Sequence, residues 1–182
     1  MRHRNANRRS GGPGLDEATA RRIVEECYDR VLAYCRRHAP DGTDPRDVTQ
    51  EAFLRLARLG SETELDNPLS YLIAVARNLC IDAYRKQRAQ TVPLDTYADA
   101  PEMADPHDAL GDVELACALE RLDPDLREVL ELRYDQGLTV TEAARVLGIS
   151  RFAATRRLKR ALTALEQLLS PHAEGDAYGK AR

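Results

Sequence analysis

Apolar residues recur along this chain at intervals of three and four, and no stretch shows the two-residue alternation of a half-buried strand. Ile23, Val24, Cys27, Tyr28, Val31, Leu32 and Cys35 trace one face of a helix that Pro40-Asp41-Gly42 ends. A second predicted helix opens at Asp44-Pro45, a side-chain cap followed by proline at the first helical position, and runs through "RDVTQEAFLRLARL" to Gly60. A third opens the same way at Asn67-Pro68. Its apolar stripe is Leu69, Leu72, Ile73, Ala76, Leu79, Cys80 and Ala83, and it continues to about Arg88. Three helices with one stripe each predict a compact helical domain over residues 15–88.

The periodicity then stops. Residues 89–111, "AQTVPLDTYADAPEMADPHDALG", contain three prolines, five acids and few large apolar side chains, which is linker composition. It resumes at Asp112 with the short helix "DVELACALERL". Asp123-Pro124 starts "DLREVLELRYDQ", which Gly137 closes. Thr139 and Glu142 have the spacing of a capping box for "VTEAARVL", after which the chain turns at Gly148 and restarts at Ser150. The expectation is an all-α protein of two small helical domains, 15–88 and 112–170, joined by a flexible acidic linker. A disordered basic arm (1–14) precedes them and a disordered tail (171–182) follows.

Composition narrows the function. The chain has 182 residues, 43% apolar and 31% charged, with no Trp. No apolar run approaches the ~20 residues needed to cross a bilayer, so no membrane insertion is expected. The basic N-terminus lacks the apolar core of a secretory signal, and cytoplasmic residence follows as the expectation. The four cysteines form no C-x-x-C pair and read as small buried hydrophobes; Cys35 and His38 would be half a metal site with no second ligand pair. No phosphate-binding, dinucleotide-binding, serine-hydrolase or zinc-protease motif is present, so neither catalysis nor a cofactor is expected.

A net charge of −3 conceals a strong segregation. Residues 112–142 carry nine acids against three bases, whereas residues 143–162 carry six bases and no acid. That basic segment, "ARVLGISRFAATRRLKRAL", has the form of a helix-turn-helix. Ala144 is small enough for two helices to approach, Gly148 supplies the turn, and Ala154, Leu158, Ala161 and Leu165 define the inward face of the second helix. At 100° per residue, Arg156 and Arg160 lie opposite Leu158. Phe152 and Lys159 flank them on one edge and Arg157 on the other. In a helix-turn-helix this exposed face enters the major groove, where Arg can donate a bidentate pair to guanine.

Three segments, "DVTQEAFLRLARL", "NPLSYLIAVARNLCIDAYRKQR" and "LDPDLREVLELRYDQGLTVTEAARVLGISRFAATRRLKRAL", resemble regions 2 and 4 of sigma-70 family RNA polymerase sigma factors. With only a linker between them, the arrangement is similar to the extracytoplasmic-function (ECF) group. The wording "NPLSYL…ARN" leans toward its iron-uptake subgroup. The resemblance spans residues about 20–168.

The resemblance implies roles. Asp47, Gln50, Glu51, Phe53 and Leu54 match the helix that grips the clamp helices of the polymerase β′ subunit, with core packing as the other reading for Phe53 and Leu54. Tyr71, Arg77, Asn78, Arg85, Lys86 and Arg88 match the surface that meets the −10 element, where an aromatic and polar groups hold unstacked bases. Arg85 and Lys86 read equally as phosphate contacts or as a solvated helix end. Arg156, Lys159 and Arg160 fall where the family reads −35 bases; Arg133, Arg151 and Arg157 fall where phosphates lie. Phe152 and Ala153 stand where the family commonly has Gly and Thr, and Phe152 either contacts a thymine methyl or packs on the preceding helix. The implied partners are core polymerase, through its β′ clamp helices and β flap, promoter DNA and an anti-sigma factor, with the free protein a monomer. A stand-alone helix-turn-helix regulator is the competing reading. It accounts for the basic helix but leaves the other two segments unexplained.

Overall fold

The computed structural model describes residues 15–59, 65–90 and 110–170. The expected arm, most of the expected linker and the tail from 171 lie outside the described residues. The described residues form helices and no strands, and the chain divides into two compact units between Ala98 and Asp99.

The first unit contains α1 (Glu17–His38), α2 (Pro45–Ala57) and α3 (Pro68–Gln90), each packed on the other two. Local hydrogen bonds fix where the helices begin. The Asp16 carboxylate accepts from the Thr19 N–H at 2.9 Å, Asp44 from Arg46 N–H at 2.8 Å, and Asn67 from Ser70 N–H at 3.2 Å. The core is aliphatic, with Val31, Leu72, Ile73, Ala52 and Ala76 fully buried. The stripe on α1 departs from the simple pattern. Val24 is 43% exposed, while Tyr34 is completely buried and stacks on the His38 ring at 4.2 Å. Because α1 packs against both α2 and α3, its buried band must widen past one stripe to include Tyr34. On α3, Leu79 and Ala83 are only half-buried.

The second unit contains α4 (Leu110–Glu120), α5 (Pro124–Leu130), a single π turn (Glu131–Asp135), α6 (Val140–Leu147) and α7 (Arg151–Leu169). The Asp123 carboxylate caps α5 by accepting from Asp125 N–H at 2.9 Å. The π turn is absent from the sequence expectation, which continued one α-helix to Gln136. Its wide ring is closed by Gln136 N–H donating to Glu131 C=O at 2.9 Å. The capping box forms as expected: Glu142 N–H donates to Thr139 Oγ1 at 3.3 Å and Thr139 N–H donates to Glu142 Oε2 at 2.7 Å. Helix α7 packs on α4, α5 and α6.

Candidate nucleic-acid interface

The turn between α6 and α7 is set by Gly148, at φ 67° and ψ 29°, whose N–H closes the last turn of α6 on the Ala144 and Arg145 carbonyls. An added Cβ there would meet nothing within 4 Å. The left-handed dihedrals, rather than a lack of space, make glycine the suitable residue. Ala144 is buried under the crossing, and Ser150 caps α7 by accepting from Ala153 N–H at 3.1 Å. These local features aim the first turns of α7 outward.

On α7 the inward stripe is as expected in register but uneven in depth. Ala154 and Ala161 are fully buried, while Leu158 and Leu165 are half-buried. The small residues occupy the closest helix contacts, and the leucines close the margins. Arg151, Phe152, Arg156, Lys159 and Arg160 are all exposed. No acid occurs on α7 before Glu166, and every cation of the helix falls between Arg151 and Arg160, so this face is cationic over about its first three turns. Phe152 is 84% exposed, which removes the reading that it packs on the preceding helix. The Thr155 hydroxyl is turned back onto the Arg151 carbonyl at 2.9 Å.

Two expected phosphate-binding residues have intramolecular partners instead of open guanidinium groups. Arg157 has a side chain only 24% exposed, and its Nη2 lies 3.1 Å from Oδ2 of Asp125 on α5. Arg133, half-buried in the π turn, donates to the Leu138 carbonyl at 3.3 Å and lies 5.7 Å from the centroid of the Tyr134 ring. Both brace the unit internally.

On α3, Tyr71, Asn78 and Arg85 recur every seven residues and so share one face, spanning about 21 Å along the axis. Tyr71 and Arg77 are half-buried; Asn78, Arg85, Lys86 and Arg88 are exposed. Arg85 forms a loose, exposed pair with Asp82 at 3.8 Å. Tyr84, which the sequence reading passed over, is 51% exposed, seven residues after Arg77 and four before Arg88. Its signal was available: an aromatic outside the buried stripe of a basic helix end.

The α2 residues split between open and anchored. Asp47 and Gln50 are exposed, and Leu54 is 50% exposed. Glu51 is held by Arg55 Nε at 2.9 Å, and Phe53 is half-buried against Tyr28 of α1, with ring centroids 5.9 Å apart. Val24, Tyr28, Gln50, Phe53 and Leu54 line a shallow apolar groove of about 420 Å³ between α1 and α2. The α1 half of this groove was not identified from sequence, because Val24 and Tyr28 had been placed in the buried stripe.

The cysteines are not all buried. Cys27, Cys35 and Cys80 are, but Cys117 on α4 is exposed. A hydrogen bond from Cys80, helped by Thr49 and opposed by burial, holds the Cys35 thiol down at about 7, while its role as donor and its burial push Cys80 up. Among the described residues no cluster of three or more metal-ligand side chains occurs.

Comparison with known proteins gives two family matches: Sigma-70 region 2 over residues 23–90 and Sigma-70, region 4 over residues 112–165. The ECF RNA polymerase sigma factor BldN of Streptomyces coelicolor is 33% identical over 156 residues, covering 81% of this chain and 59% of that protein. The chain thus spans less than two thirds of that relative's length. The RNA polymerase sigma factor CarQ of Myxococcus xanthus is 31% identical over 148 residues, covering 77% of this chain and 83% of that protein. Among solved structures, CnrH in complex with the cytosolic domain of CnrY is similar at a TM-score of 0.55 and 28% identity, covering 85% of this chain and 90% of that chain.

Proposed function

We propose that this chain, which belongs to the ECF group of the sigma-70 family of RNA polymerase sigma factors, directs core polymerase to specific promoters by recognising −10 and −35 elements. The observation that carries this reading is the pairing, in one chain, of two dissimilar nucleic-acid-type faces. Helix α7 presents exposed cations suited to a duplex groove. Helix α3 presents Tyr71 in line with Asn78 and Arg85, and Tyr84 in line with Arg77 and Arg88 on a separate ridge, each an aromatic among polar groups suited to bases removed from their stack.

Within this reading Arg156 and Arg160 contact −35 bases, while Arg151 and Lys159 contact phosphates or bases at the groove edge. Arg157 and Arg133 position α7 and the π turn rather than touch DNA, on the strength of their partners Asp125 and Leu138. Tyr71, Arg77, Asn78, Arg85, Lys86 and Arg88, joined by Tyr84, form the −10 surface. Asp47, Gln50, Glu51 and Leu54 meet the β′ clamp helices, with Phe53 shaping their support on Tyr28; the region-4 unit meets the β flap. The protein has no catalytic step of its own and works in the cytoplasm, and among the described residues no helix is long and apolar enough to cross a membrane. An anti-sigma factor is the regulatory partner. CnrH, solved with the cytosolic domain of CnrY, supports a protein partner of that kind. The iron-uptake assignment rests on one short motif.

Run-off transcription with purified core polymerase on a genomic promoter library tests the proposal. Discrete start sites with shared −10 and −35 elements are expected. DNA binding with no core-dependent transcription would instead favour the stand-alone regulator.

A further inference from the structure

Phe152 is the most exposed large apolar side chain among the described residues, at 84%, and it sits in the first turn of a 19-residue helix. Single exposed apolar residues are ordinary on protein surfaces, so exposure alone decides nothing. Its surroundings are the informative part. Arg156 and Lys159 follow it at four and seven residues, so the phenyl lies on the same ridge as two exposed cations. The neighbouring Thr155 hydroxyl is spent on the Arg151 carbonyl. Ala153 is half-buried and brings no polar side-chain atom. Between Arg151 and Arg156 the recognition ridge is therefore an apolar surface with no free side-chain hydrogen-bond donor, flanked by cations that attract DNA.

The major groove offers such a surface one complement. Base edges present donors and acceptors there, and thymine adds its C5-methyl group, the apolar feature of the unmodified base pairs. We propose that Phe152 is a specificity-determining residue that reads a thymine 5-methyl group in the −35 element. The inference rests on the reading of α7 as the −35 helix and adds the chemistry of one contact. A protein-binding role for the phenyl is disfavoured by its place on an acid-free cationic ridge, and the test separates the two.

The experiment uses holoenzyme reconstituted from the full chain and core polymerase on a promoter recovered from the library. Each −35 thymine, on either strand, is replaced singly by deoxyuridine, which removes the methyl and keeps the hydrogen-bonding edge. Initiation rate is measured at limiting holoenzyme. Wild-type holoenzyme is expected to lose about fourfold at one position, corresponding to ~0.8 kcal/mol for one buried methyl-sized group. Phe152→Ala should initiate equally from the thymine and deoxyuridine templates at that position, and Phe152→Leu should keep part of the difference.

Indifference of the wild type to deoxyuridine at every position overturns the proposal. So does undiminished sensitivity in Phe152→Ala, or a −35 element with no A·T pair. A Phe152→Ala defect of equal size on thymine and deoxyuridine templates also overturns it and assigns the phenyl to a protein contact. Arg156→Ala and Arg160→Ala are run in parallel. If they change the −35 base preference while the deoxyuridine result fails, Phe152 is misassigned. If they too change nothing, the −35 reading of α7 fails.

Discussion

Helices α3 and α7 are both long, and both carry cations away from the core, yet under the proposed function they suit different states of a nucleic acid. On α3 the exposed positions mix tyrosine, asparagine and arginine. A planar ring is of use only where a base has left its neighbours and shows a face. Over residues 151–160 of α7 the exposed positions are cations with a single phenyl at the leading end. Stacked bases show only their edges, and edges are read by donors and methyl contacts. The side-chain chemistry of a basic helix thus indicates whether it meets paired or unpaired DNA, which its charge does not.

The comparison breaks most decisively at the α7 cations. Arg156→Ala or Arg160→Ala should cost about 1–3 kcal/mol at the base pair contacted and relax preference there, read from transcription on a panel of −35 single-base variants. A uniform loss across the panel would make these residues phosphate contacts. On α3, Tyr71→Ala and Tyr84→Ala should each cost about 1–3 kcal/mol for every base stacked. The loss should appear in holoenzyme binding to a promoter with a pre-opened −10 bubble and be recovered in the Tyr→Phe variants. Tyr→Phe variants that lose as much as the Tyr→Ala variants would leave α3 with no stacking role.

Smaller effects sharpen the contrast between residues that touch DNA and residues that aim the helix. Gly148→Ala should destabilise the α6–α7 turn by about 1–2 kcal/mol, because a Cβ at φ 67° is strained although it has room. Amide hydrogen exchange should show α7 losing protection while α3 is unchanged. Arg157→Ala should cost at most ~1 kcal/mol, since its partner Asp125 is 64% exposed. Asp125→Asn should reproduce the effect, with little added in the double variant. The salt dependence of promoter binding should not change. A slope lowered by about one unit would return Arg157 to the phosphates.

What was legible in the sequence was local. The starts of α2, α5, α6 and α7 followed from Asp44, Asp123, Thr139 and Ser150, because a cap is a bond between residues two or three apart. The outward aim of Arg156 and Arg160 followed from helical periodicity for the same reason. What escaped was set by tertiary neighbours. The π turn accommodates one extra residue in a packed helix, which periodicity over a window averages away. Tyr34 is buried because α1 has two packing partners. Arg157 sat at the edge of the helical wheel as expected, but its ion pair depends on a carboxylate on another helix. Tyr84 was readable as an aromatic beyond the stripe, and its exposure gave it meaning.

The thiols separate chemical reactivity from physical access. The Cys35 thiol is held low by its hydrogen bond from Cys80 and has no exposed surface, whereas Cys117, the exposed one of the four, sits in the other unit. An alkylating dye added to the native protein therefore marks Cys117 first, giving a single-site optical handle without mutagenesis. Cys35 waits for α1 and α3 to part, an opening that also removes the Cys80 hydrogen bond holding its thiol low. The lag between the two labels is a clock for the breathing of the three-helix unit, wound by the chain itself.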